Sequence, residues 1–469
     1  MMKKCRVEKK CGACQYLSMP YSRQLETKRN DIRNLFPGVN VQPVLGMKEP
    51  YHYRHKVYFA FGYDPQGHIN AGLFAQGSHK IIFTDACLIQ NTSANALMAD
   101  LCQILDHWHI EPYDEDRHTG TVRYGYIRVS HASKDILLTI VIGSRELPHE
   151  KHIVEEITAS HPEVKTIILN YNHGTDSMVL GTSERVIYGK GTITDRIDGL
   201  QFSISSRSFY QVNPVQTEVL YRTALQLADL HRNENVLDVC CGIGTISLLA
   251  ARKAGFVIGV EINEKAIQDA RRNAIANHIS NVTFAAMDAA EFIHHLGETP
   301  DVVFLDPPRA GLSENFLKTL GSLQTDRIVY ISCNPETQAR DTKILRRYGY
   351  RIRTLIPVDM FPFTKHVETV VQLSKGSISS QNVRVEFSLE DLDMSGFRQG
   401  ATYEKIQEWV QEKYGFHVTH LNIAQVKRKH GIIERQNYNK PKSPDSKQPG
   451  CPEDKTRAIE TALKHFQMI

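Results

Sequence analysis

The chain has 469 residues, of which 41% are hydrophobic and 23% charged, and its formal net charge is +4. This composition excludes a disordered chain, and the length predicts about three domains, because a domain averages roughly 150 residues. No apolar run approaches the ~20 residues that span a bilayer, and the first residues lack the apolar core of a signal peptide, so we expect a cytoplasmic protein without a membrane partner.

Four cysteines in the early part of the chain suggest a metal site. Cys5, Cys11 and Cys14 lie within ten residues of each other, and Cys87 stands alone further along. Zinc ribbons usually have two C-x-x-C pairs, whereas three close cysteines with a distant fourth are a common iron–sulfur pattern. The spacing therefore favours a [4Fe–4S] cluster with a structural role, and unrelated free cysteines are the alternative.

The region up to about residue 195 is predicted to be rich in β-strands. A helix is predicted from Ser22 to Leu35, and Tyr51 to Lys56 then alternates aromatic and basic residues. Such a strand could stack its rings on bases and meet phosphates with its cations, but a solvated strand face explains the alternation equally well. Further short strands are predicted at Thr121 to Val129, Ile136 to Ile142, Thr166 to Asn170 and Ser177 to Leu180.

The pattern changes at Ser206 to Pro214, and from Asn235 the chain alternates strands and helices, which predicts a parallel, doubly wound sheet. The predicted elements are a helix from Val215 to Leu230, a strand from Asn235 to Val239, a helix from Thr245 to Lys253 and a strand from Phe256 to Val260. The turn from Cys240 to Gly244 is rich in glycine, and Glu261 ends the next strand. This arrangement suits a cofactor whose ribose hydroxyls need a carboxylate, and S-adenosylmethionine fits it; a flavodoxin-like packing turn is the alternative.

Three further residues are predicted at the same edge of this sheet. Asp288 follows the third strand, where a carboxylate can meet an adenine amino group, and Asp306 follows the fourth strand in a loop that two prolines stiffen. Cys333 lies between a buried strand and a helix that begins near Glu336. A helix amino terminus favours an anion, so we expect this thiol to lose its proton readily and to be a candidate nucleophile. A small buried hydrophobic residue is the alternative.

The last strand pair is predicted to include Pro362 to Val371. In this alternation Glu368 shares a face with His366 and Val370. A carboxylate beside apolar neighbours can have a raised pKa that suits it to accept a proton, whereas an exposed strand carboxylate is the alternative.

Six motifs, taken in order, resemble those of the RNA (uracil-C5)-methyltransferase family and of its iron–sulfur branch, which modifies 23S ribosomal RNA. They are C-x5-C-x2-C with a later cysteine, FYQVNP, DVCCGIG, LDPPRAG, ISCNP and HVET. The resemblance covers roughly residues 1 to 375. It implies an α/β fold, namely a Rossmann-like S-adenosylmethionine-dependent methyltransferase domain with a β-rich central domain that carries an iron–sulfur cluster. A small, mostly helical C-terminal extension completes the expected fold.

The resemblance also implies roles for individual residues. Cys333 matches the nucleophile and Glu368 the base of the family. Gln211 matches a residue that binds the cofactor or the target, and Cys240 stands where an aromatic residue is common. The expected cofactor-binding residues are Gln211, Cys240, Gly242, Glu261, Asp288 and Asp306, and the expected cluster ligands are Cys5, Cys11, Cys14 and Cys87.

The expected function is formation of 5-methyluridine in 23S ribosomal RNA, of the uracil-1939 type, by a monomer without an obligate protein partner. A transfer-RNA (uracil-C5)-methyltransferase and a catalytically silent RNA-binding iron–sulfur protein are the alternatives. The expected domains are residues 1–195, which hold the cluster and bind RNA, 196–375, which carry the methyltransferase, and 376–469, an accessory region.

The accessory region has a helical pattern of its own. Helices are predicted from Thr402 to Lys413, Leu421 to His430 and Glu453 to Phe466, with a loop that contains Asn437 to Asn439 and Pro441 to Pro452. Lys427, Arg428 and Lys429 make the second helix basic, which is compatible with helix-turn-helix binding to nucleic acid and equally with a packing module.

Overall fold

The computed structural model describes residues 3–75, 77–84, 86–175, 178–375, 403–430 and 451–465, with the backbone alone for Glu404, Leu421 and Arg428. The chain divides into two compact units, Met1–Val385 and Glu386–Ile469. None of the helices in the described ranges has both the length and the apolar character that crossing a bilayer requires. The division predicted at residue 195 lies inside the first unit and stays a prediction.

The first part of this unit contains four helices and a mixed seven-stranded sheet. Its elements are α1 (Glu8–Cys11), α2 (Tyr21–Leu35), β1 (Lys56–Tyr63), β2 (Ile69–Phe74), β3 (Ile81–Phe83), α3 (Thr92–His107), β4 (Val122–Val129), β5 (Ile136–Ile142), α4 (Glu150–Ser160), β6 (Val164–Tyr171) and β7 (Ser183–Gly189). The strand order is β3-β2-β1-β4-β5-β6-β7, and β5 and β6 run parallel while the other neighbours run antiparallel. Every residue of β4 and β5 is buried, because α3 and α4 contribute apolar residues such as Leu101 and Ile157 to the core.

The second half of this unit is a doubly wound sheet, as the sequence predicts. A hairpin of β8 (Ile193–Ile197) and β9 (Leu200–Ile204) leads into α5 (Pro214–Ala228), β10 (Asn235–Val239), α6 (Thr245–Ala251), β11 (Phe256–Glu261), α7 (Glu264–Ala276), β12 (Val282–Ala286), α8 (Ala289–His294), β13 (Val302–Leu305), α9 (Glu314–Ser322), β14 (Arg327–Ser332), α10 (Pro335–Arg346), β15 (Tyr350–Val358) and β16 (Glu368–Lys375). The strand order is β12-β11-β10-β13-β14-β16-β15. The strands are parallel except that β16 runs antiparallel to β14 and β15. The apolar runs of β13 and β14 are buried, as expected for strands covered by helices on both faces.

Three strand predictions need correction. Residues 51–55 precede β1 instead of belonging to it, and β16 begins only at Glu368, so Pro362 to His366 form a loop. In this loop the backbone N–H and carbonyl of Phe363 bond to Gln24 and Tyr16, and these bonds replace those of a strand ladder. Met178 to Leu180 form no strand, Ser177 lies outside the described residues, and the strand of this region is β7.

The second unit contains the three predicted helices, α11 (Tyr403–Tyr414), α12 (His420–Lys429) and α13 (Glu453–His465). They enclose a small apolar core that includes Val410, Ile423 and Ile459. Lys427 is buried in this unit, with its Nζ 4.1 Å from the centre of the Tyr403 ring. Because this cation packs inside the unit, Lys427 does not contribute to an exposed basic face of the helix. Residues 431–450 of the predicted loop and Phe466 lie outside the described residues.

Candidate active site

The ends of five neighbouring strands bring the predicted site residues to one edge of the second sheet. Val239 of β10 is aligned with Val260 of β11 and with Leu305 of β13, and Leu305 is aligned with Tyr330 of β14. Strand β16 begins at this edge because it runs antiparallel to β14. The residues that lie at these ends are Cys240, Glu261, Asp306, Cys333 and Glu368.

The register of β14 and β16 brings the predicted nucleophile and the predicted base together. Ser332 is paired with Thr369, so Cys333, one residue further along β14, comes opposite Glu368, one residue earlier on β16. The chain turns into α10 at once, because Asn334 accepts a hydrogen bond from the backbone N–H of Glu336 and Pro335 occupies the first helical turn. Cys333 is therefore half-buried at a helix amino terminus, as the sequence predicts.

The acidity predicted for the Cys333 thiol is wrong for the free protein. Burial raises its pKa to about 11, and the nearby carboxyl groups of Glu368 and Asp306 raise it further than the Arg309 guanidinium lowers it. The helix terminus is thus outweighed by desolvation and by two acidic groups that come from other strands. The raised pKa therefore favours the protonated thiol at neutral pH in the free protein.

Glu368 is buried, with 3% of its surface exposed. Burial raises the pKa of its carboxyl to about 8, and the nearby Asp306 acts in the same direction. The raised pKa agrees with the sequence, but His366 does not share a strand face with Glu368, since it lies in the loop before β16.

Asp306 opens a loop that is fastened to helix α10. Burial raises the pKa of the Asp306 carboxyl to about 7. The carbonyl of Arg309 accepts a hydrogen bond from Asn334 Nδ2 at 3.2 Å, and Asp341 Oδ2 accepts bonds from the Leu312 N–H and from the Tyr330 hydroxyl. The loop is therefore held beside Cys333, and the sequence reasoning gave no role to Arg309 although it lies within the LDPPRAG motif.

The turn after β10 has the geometry of a cofactor-binding loop. Cys240, Gly242 and Gly244 all have positive φ, and a side chain at Gly244 would come within 2.9 Å of the Phe284 ring. Glu261 accepts a hydrogen bond from the N–H of Gly242 at 3.2 Å. A carboxylate beside such a turn, at the end of the second strand, fits the ribose hydroxyls of S-adenosylmethionine.

Two other residues near this turn were not singled out in the sequence. Ile262 follows Glu261 and is 73% exposed, so it offers an apolar surface at the carboxyl edge of the sheet. Asp238 is fully buried, and its Oδ2 accepts a hydrogen bond from the Ser247 hydroxyl at 2.5 Å. Burial raises the pKa of Asp238 to about 7. Ile262 could have been identified in the sequence, because it is an apolar residue directly after Glu261, the acidic residue that ends β11.

Asp288 and Gln211 lie on either side of the turn. Asp288 caps helix α8, since its Oδ1 accepts bonds from the N–H groups of Ala290 and Glu291. Gln211 is half-buried and bonds to the hydroxyl of Tyr221. Its neighbour Asn213 caps α5 and donates to the Met360 carbonyl.

The aromatic and basic segment from Tyr51 to Lys56 only partly matches its prediction. Tyr53 is buried and donates to the Pro362 carbonyl, so it is not an exposed platform for a base. Lys56 is directly opposite Arg128 in the antiparallel pair β1 and β4, and its Nζ lies 5.2 Å from the centre of the Phe209 ring. Phe209 is 62% exposed and is an aromatic surface that the sequence did not lead us to predict. Its position in the FYQVNP motif could have identified it.

The basic pair is held next to the segment that carries Gln211. Arg128 donates hydrogen bonds to the carbonyls of Ser206 and Ser208, and its Nε has no hydrogen-bond partner in the described structure. Among the described residues, no carboxylate lies within ion-pair distance of Lys56 or Arg128. Arg128 is buried, whereas Lys56 is half-buried, and burial together with the Arg128 charge lowers the pKa of Lys56 to about 7. A bound anion would favour the charged form of Lys56.

The four early cysteines line one cavity of about 140 Å³. Cys14 lies close enough to the other three for their charges, together with burial, to raise its pKa to about 12. Over the described ranges, however, no group of three or more His, Cys, Asp or Glu side chains is arranged closely enough to hold a metal ion. The residue types and their convergence fit a four-thiolate cluster, while the side-chain spacing is wider than ligation requires.

Comparisons with known proteins agree with this geometry. Residues 20–376 match the family model described as tRNA (uracil-5-)-methyltransferase. An uncharacterised RNA methyltransferase of Bacillus cereus is 42% identical over 378 residues, covering 79% of this chain and 82% of that protein. One from Listeria monocytogenes is 40% identical over 377 residues, covering 79% and 83%. The solved structure of Pyrococcus abyssi tRNA (uracil-54, C5)-methyltransferase in complex with S-adenosyl-L-homocysteine superposes with a TM-score of 0.65 and 29% identity, covering 76% of this chain and 83% of that one.

Proposed function

We propose that this chain, which belongs to the tRNA (uracil-5-)-methyltransferase family and is an S-adenosylmethionine-dependent RNA (uracil-5-)-methyltransferase, acts on a uridine of 23S ribosomal RNA. The support for this substrate is the set of four early cysteines, which resembles that of the iron–sulfur branch. The main support for the proposed active site is the pairing of Ser332 with Thr369, because this register places Cys333 opposite Glu368. A thiol and a buried carboxyl group at one sheet edge, next to a cofactor-binding turn, are the groups that this reaction needs.

Cys333 activates the base in the proposed mechanism, because carbon 5 of uracil is too weak a nucleophile by itself. Its Sγ bonds to carbon 6, the thiol proton passes to water, and the electrons of the C5–C6 double bond move to O4 as an enolate. Carbon 5 then takes the methyl group of S-adenosylmethionine, whose sulfur–methyl bond breaks to leave S-adenosylhomocysteine. The Arg309 guanidinium favours the thiolate, since it lowers the pKa of Cys333.

Glu368 completes the reaction by removing the proton from carbon 5. The electrons of that C–H bond re-form the C5–C6 double bond, and the bond between Sγ and carbon 6 breaks to release Cys333 as a thiolate. A pKa of about 8 makes the Glu368 carboxylate a stronger base than an exposed glutamate, while a useful fraction is still ionised at neutral pH.

The proposed cofactor site uses the turn from Cys240 to Gly244 and the residues around it. The Glu261 carboxylate would accept the ribose hydroxyls, and the exposed Ile262 would pack against the adenine ring. Asp288, Gln211 and Asp306 remain proposed contacts of the same ligand. At Cys240 the contact with S-adenosylmethionine would be made by the backbone, which has a positive φ of 62° at this residue.

The RNA would bind beside Phe209 and the pair of Lys56 and Arg128. A stacked base hides its C5–C6 edge, so the target uridine has to be unpaired or flipped out of its stack. Phe209 is an exposed ring on which a neighbouring base can stack, and Lys56, whose Nζ lies 5.2 Å from the centre of that ring, can contact a phosphate. The buried Arg128 adds positive charge beside Lys56.

The four cysteines support the ribosomal substrate and the [4Fe–4S] cluster. Cys5, Cys11, Cys14 and Cys87 line a single cavity although Cys87 is distant in the sequence. We propose that cluster assembly draws the four thiolates together, and that the cluster then fixes the amino-terminal segment. We propose in addition that the enzyme acts as a monomer.

A transfer-RNA substrate is the second candidate. It is favoured by the similarity to the Pyrococcus abyssi enzyme, which is a tRNA (uracil-54, C5)-methyltransferase. Both substrates would use the same catalytic residues, so the active site itself does not discriminate between them.

The deciding experiment is transfer of labelled methyl from S-adenosylmethionine to unmodified 23S rRNA and tRNA transcripts, followed by nucleoside analysis and mapping. Label in 5-methyluridine of the ribosomal transcript is the expected result. Label in tRNA alone would select the second candidate, and the Cys333→Ala variant should give no label with either RNA.

A further inference from the structure

The loop that precedes Glu368 is held mainly by contacts from distant parts of the chain. This loop, residues 359–366, is called the base loop here, because it leads directly to the proposed base. Phe363 in its middle has a φ of +67°, a conformation that a phenylalanine adopts only when its surroundings impose it. The position of Glu368 therefore depends on its pairing with Val358, which directly precedes this loop, and on the contacts that hold the loop.

Helix α2 holds the beginning of the base loop through a buried ion pair. Lys28 Nζ lies 2.5 Å from Asp359 Oδ1, and both side chains are completely buried. The same Nζ donates to the Phe361 carbonyl at 3.1 Å, and the Tyr21 hydroxyl donates to Asp359 Oδ2 at 2.6 Å. Lys28 thus bonds to two residues of the loop at once.

The segment between Cys14 and α2 holds the middle of the base loop. The N–H of Phe363 donates to Gln24 Oε1 at 3.0 Å, and the Phe363 carbonyl accepts from the N–H of Tyr16 at 2.9 Å. Gln15 Oε1 accepts from the N–H of Lys365 at 3.2 Å. Gln24 also donates to the Tyr16 carbonyl, so helix, segment and loop form one bonded network.

The opposite side of the base loop rests on helix α5, which follows Gln211. Gln216 Nε2 donates to the Asp359 carbonyl at 3.1 Å, and Asn213 Nδ2 donates to the Met360 carbonyl at 3.0 Å. If α2 shifted, the hydrogen bonds from α5 to the base loop would remain and those from α2 would be lost. The base loop would then be held on one side only.

We propose that Lys28 is a positioning residue for Glu368, since its ion pair with Asp359 fixes the base loop so that the Glu368 carboxyl faces carbon 5 of the target. This inference rests on the proposed role of Glu368. A buried ion pair adds little net stability but strongly specifies a geometry, because either charge alone in the interior is unfavourable. Lys28 itself touches neither substrate nor cofactor.

The proposal predicts which step of the reaction should fail. Glu368 acts only after the bond between Sγ and carbon 6 has formed and the methyl group has been transferred. Displacement of the base loop should leave those two steps intact and slow removal of the C5 proton. The enzyme would then stay covalently attached to methylated RNA, with the Sγ–C6 bond unbroken.

The test compares Lys28→Met with Arg123→Met. Arg123 is a matched control because it lies in β4 and forms a buried ion pair with Glu115 of the preceding turn. Each protein is incubated with labelled S-adenosylmethionine and RNA transcript, and the labelled RNA that stays bound to protein in detergent is measured. Lys28→Met should lower kcat about tenfold, leave the KM for RNA within about twofold, and trap several times more adduct than wild type or Arg123→Met. Equal adduct in the two variants would overturn the proposal.

Two further variants keep the outcomes distinguishable. Glu368→Gln should trap the most adduct. If it traps none, the proposed base is wrong. If Glu368→Gln traps adduct and Lys28→Met does not, only the positioning role of Lys28 is wrong. If Lys28→Met does not fold, Tyr21→Phe decides, because it removes only the hydrogen bond to Asp359. It should raise the trapped fraction above that of wild type, and an unchanged fraction would overturn the proposal.

Discussion

Replacing Glu368 by Gln should stabilise the fold at alkaline pH while it stops turnover. Glu368 is 3% exposed, and its pKa rises from 4.5 to about 8, first because of burial and then because of Asp306. The folded protein therefore binds this proton more tightly than the unfolded chain does. The corresponding stability is fully present below the unfolded pKa and is lost as the pH rises through the folded pKa. Glutamine has the same shape without the ionisation.

The size of the effect follows from the proton balance. The folded protein holds nearly one proton more than the unfolded chain at about pH 6 and about half a proton more at about pH 8, and a full proton corresponds to about 1.4 kcal/mol per pH unit. The free energy of unfolding of the wild type should therefore fall by about 2 kcal/mol relative to that of Glu368→Gln over this range. Asp306 is present in both proteins, so its own titration largely cancels in the difference.

Urea unfolding at the two pH values measures this difference by linear extrapolation. The exposed Glu298, in the same half of the unit, provides the matched control, and Glu298→Gln should give a difference near zero at both pH values. A stability difference between Glu368→Gln and wild type that does not change with pH would refute the argument, because it would mean that the carboxyl is ionised in the folded state as readily as in the unfolded chain.

Four further outcomes follow from the site. Cys333→Ala should lose methyl transfer completely while it binds RNA as the wild type does, measured by filter binding; residual transfer would contradict the nucleophile assignment. Lys56→Met should weaken RNA binding and reduce the slope of log affinity against log salt by about 1, and an unchanged slope would rule out its phosphate contact. Protein purified without oxygen should be brown with about four irons per chain, and Cys87→Ser should lose most of them; colourless wild-type protein carrying zinc would contradict the cluster. Breakdown of the methylated RNA adduct, followed after the adduct has formed, should become faster as the pH rises from about 6 to about 8, since more Glu368 is then ionised, and a rate that falls over this range would contradict its role as the base.

The parts of the fold that the sequence predicts are those that local chemistry determines. The apolar runs of β13 and β14 predict buried strands, and Asn334 with Pro335 predicts the start of α10 because capping and a fixed φ act within one turn. The order of strands and helices then predicts that Cys333 and Asp306 meet at one edge, since parallel strands share their carboxyl ends.

The features that the sequence did not predict depend on residues far apart in the chain. Tyr53 looks exposed in an alternating pattern, but the Pro362 carbonyl provides its partner from more than 300 residues away and draws it into the core. Lys56 and Arg128 become neighbours only through the register of β1 and β4. The strand predicted around Glu368 begins too early in the sequence, because the backbone of Phe363 bonds to Tyr16 and Gln24 instead of to a neighbouring strand. No local sequence pattern identifies these two partners.

The same limit explains the misjudged acidity of Cys333 and gives it a mechanistic meaning. A helix terminus acts locally, but Glu368 and Asp306 arrive from other strands and raise the pKa of the thiol. The negative charge of an ionised Glu368 raises the pKa of the Cys333 thiol, so the free site disfavours a state in which the nucleophile and the base are both charged. Attack on carbon 6 removes this conflict, because it transfers the negative charge from sulfur to the O4 enolate, and methyl transfer then neutralises the ring. Ionisation of Glu368 is thereby favoured only after the nucleophile has reacted, and this is the stage at which the C5 proton has to be removed.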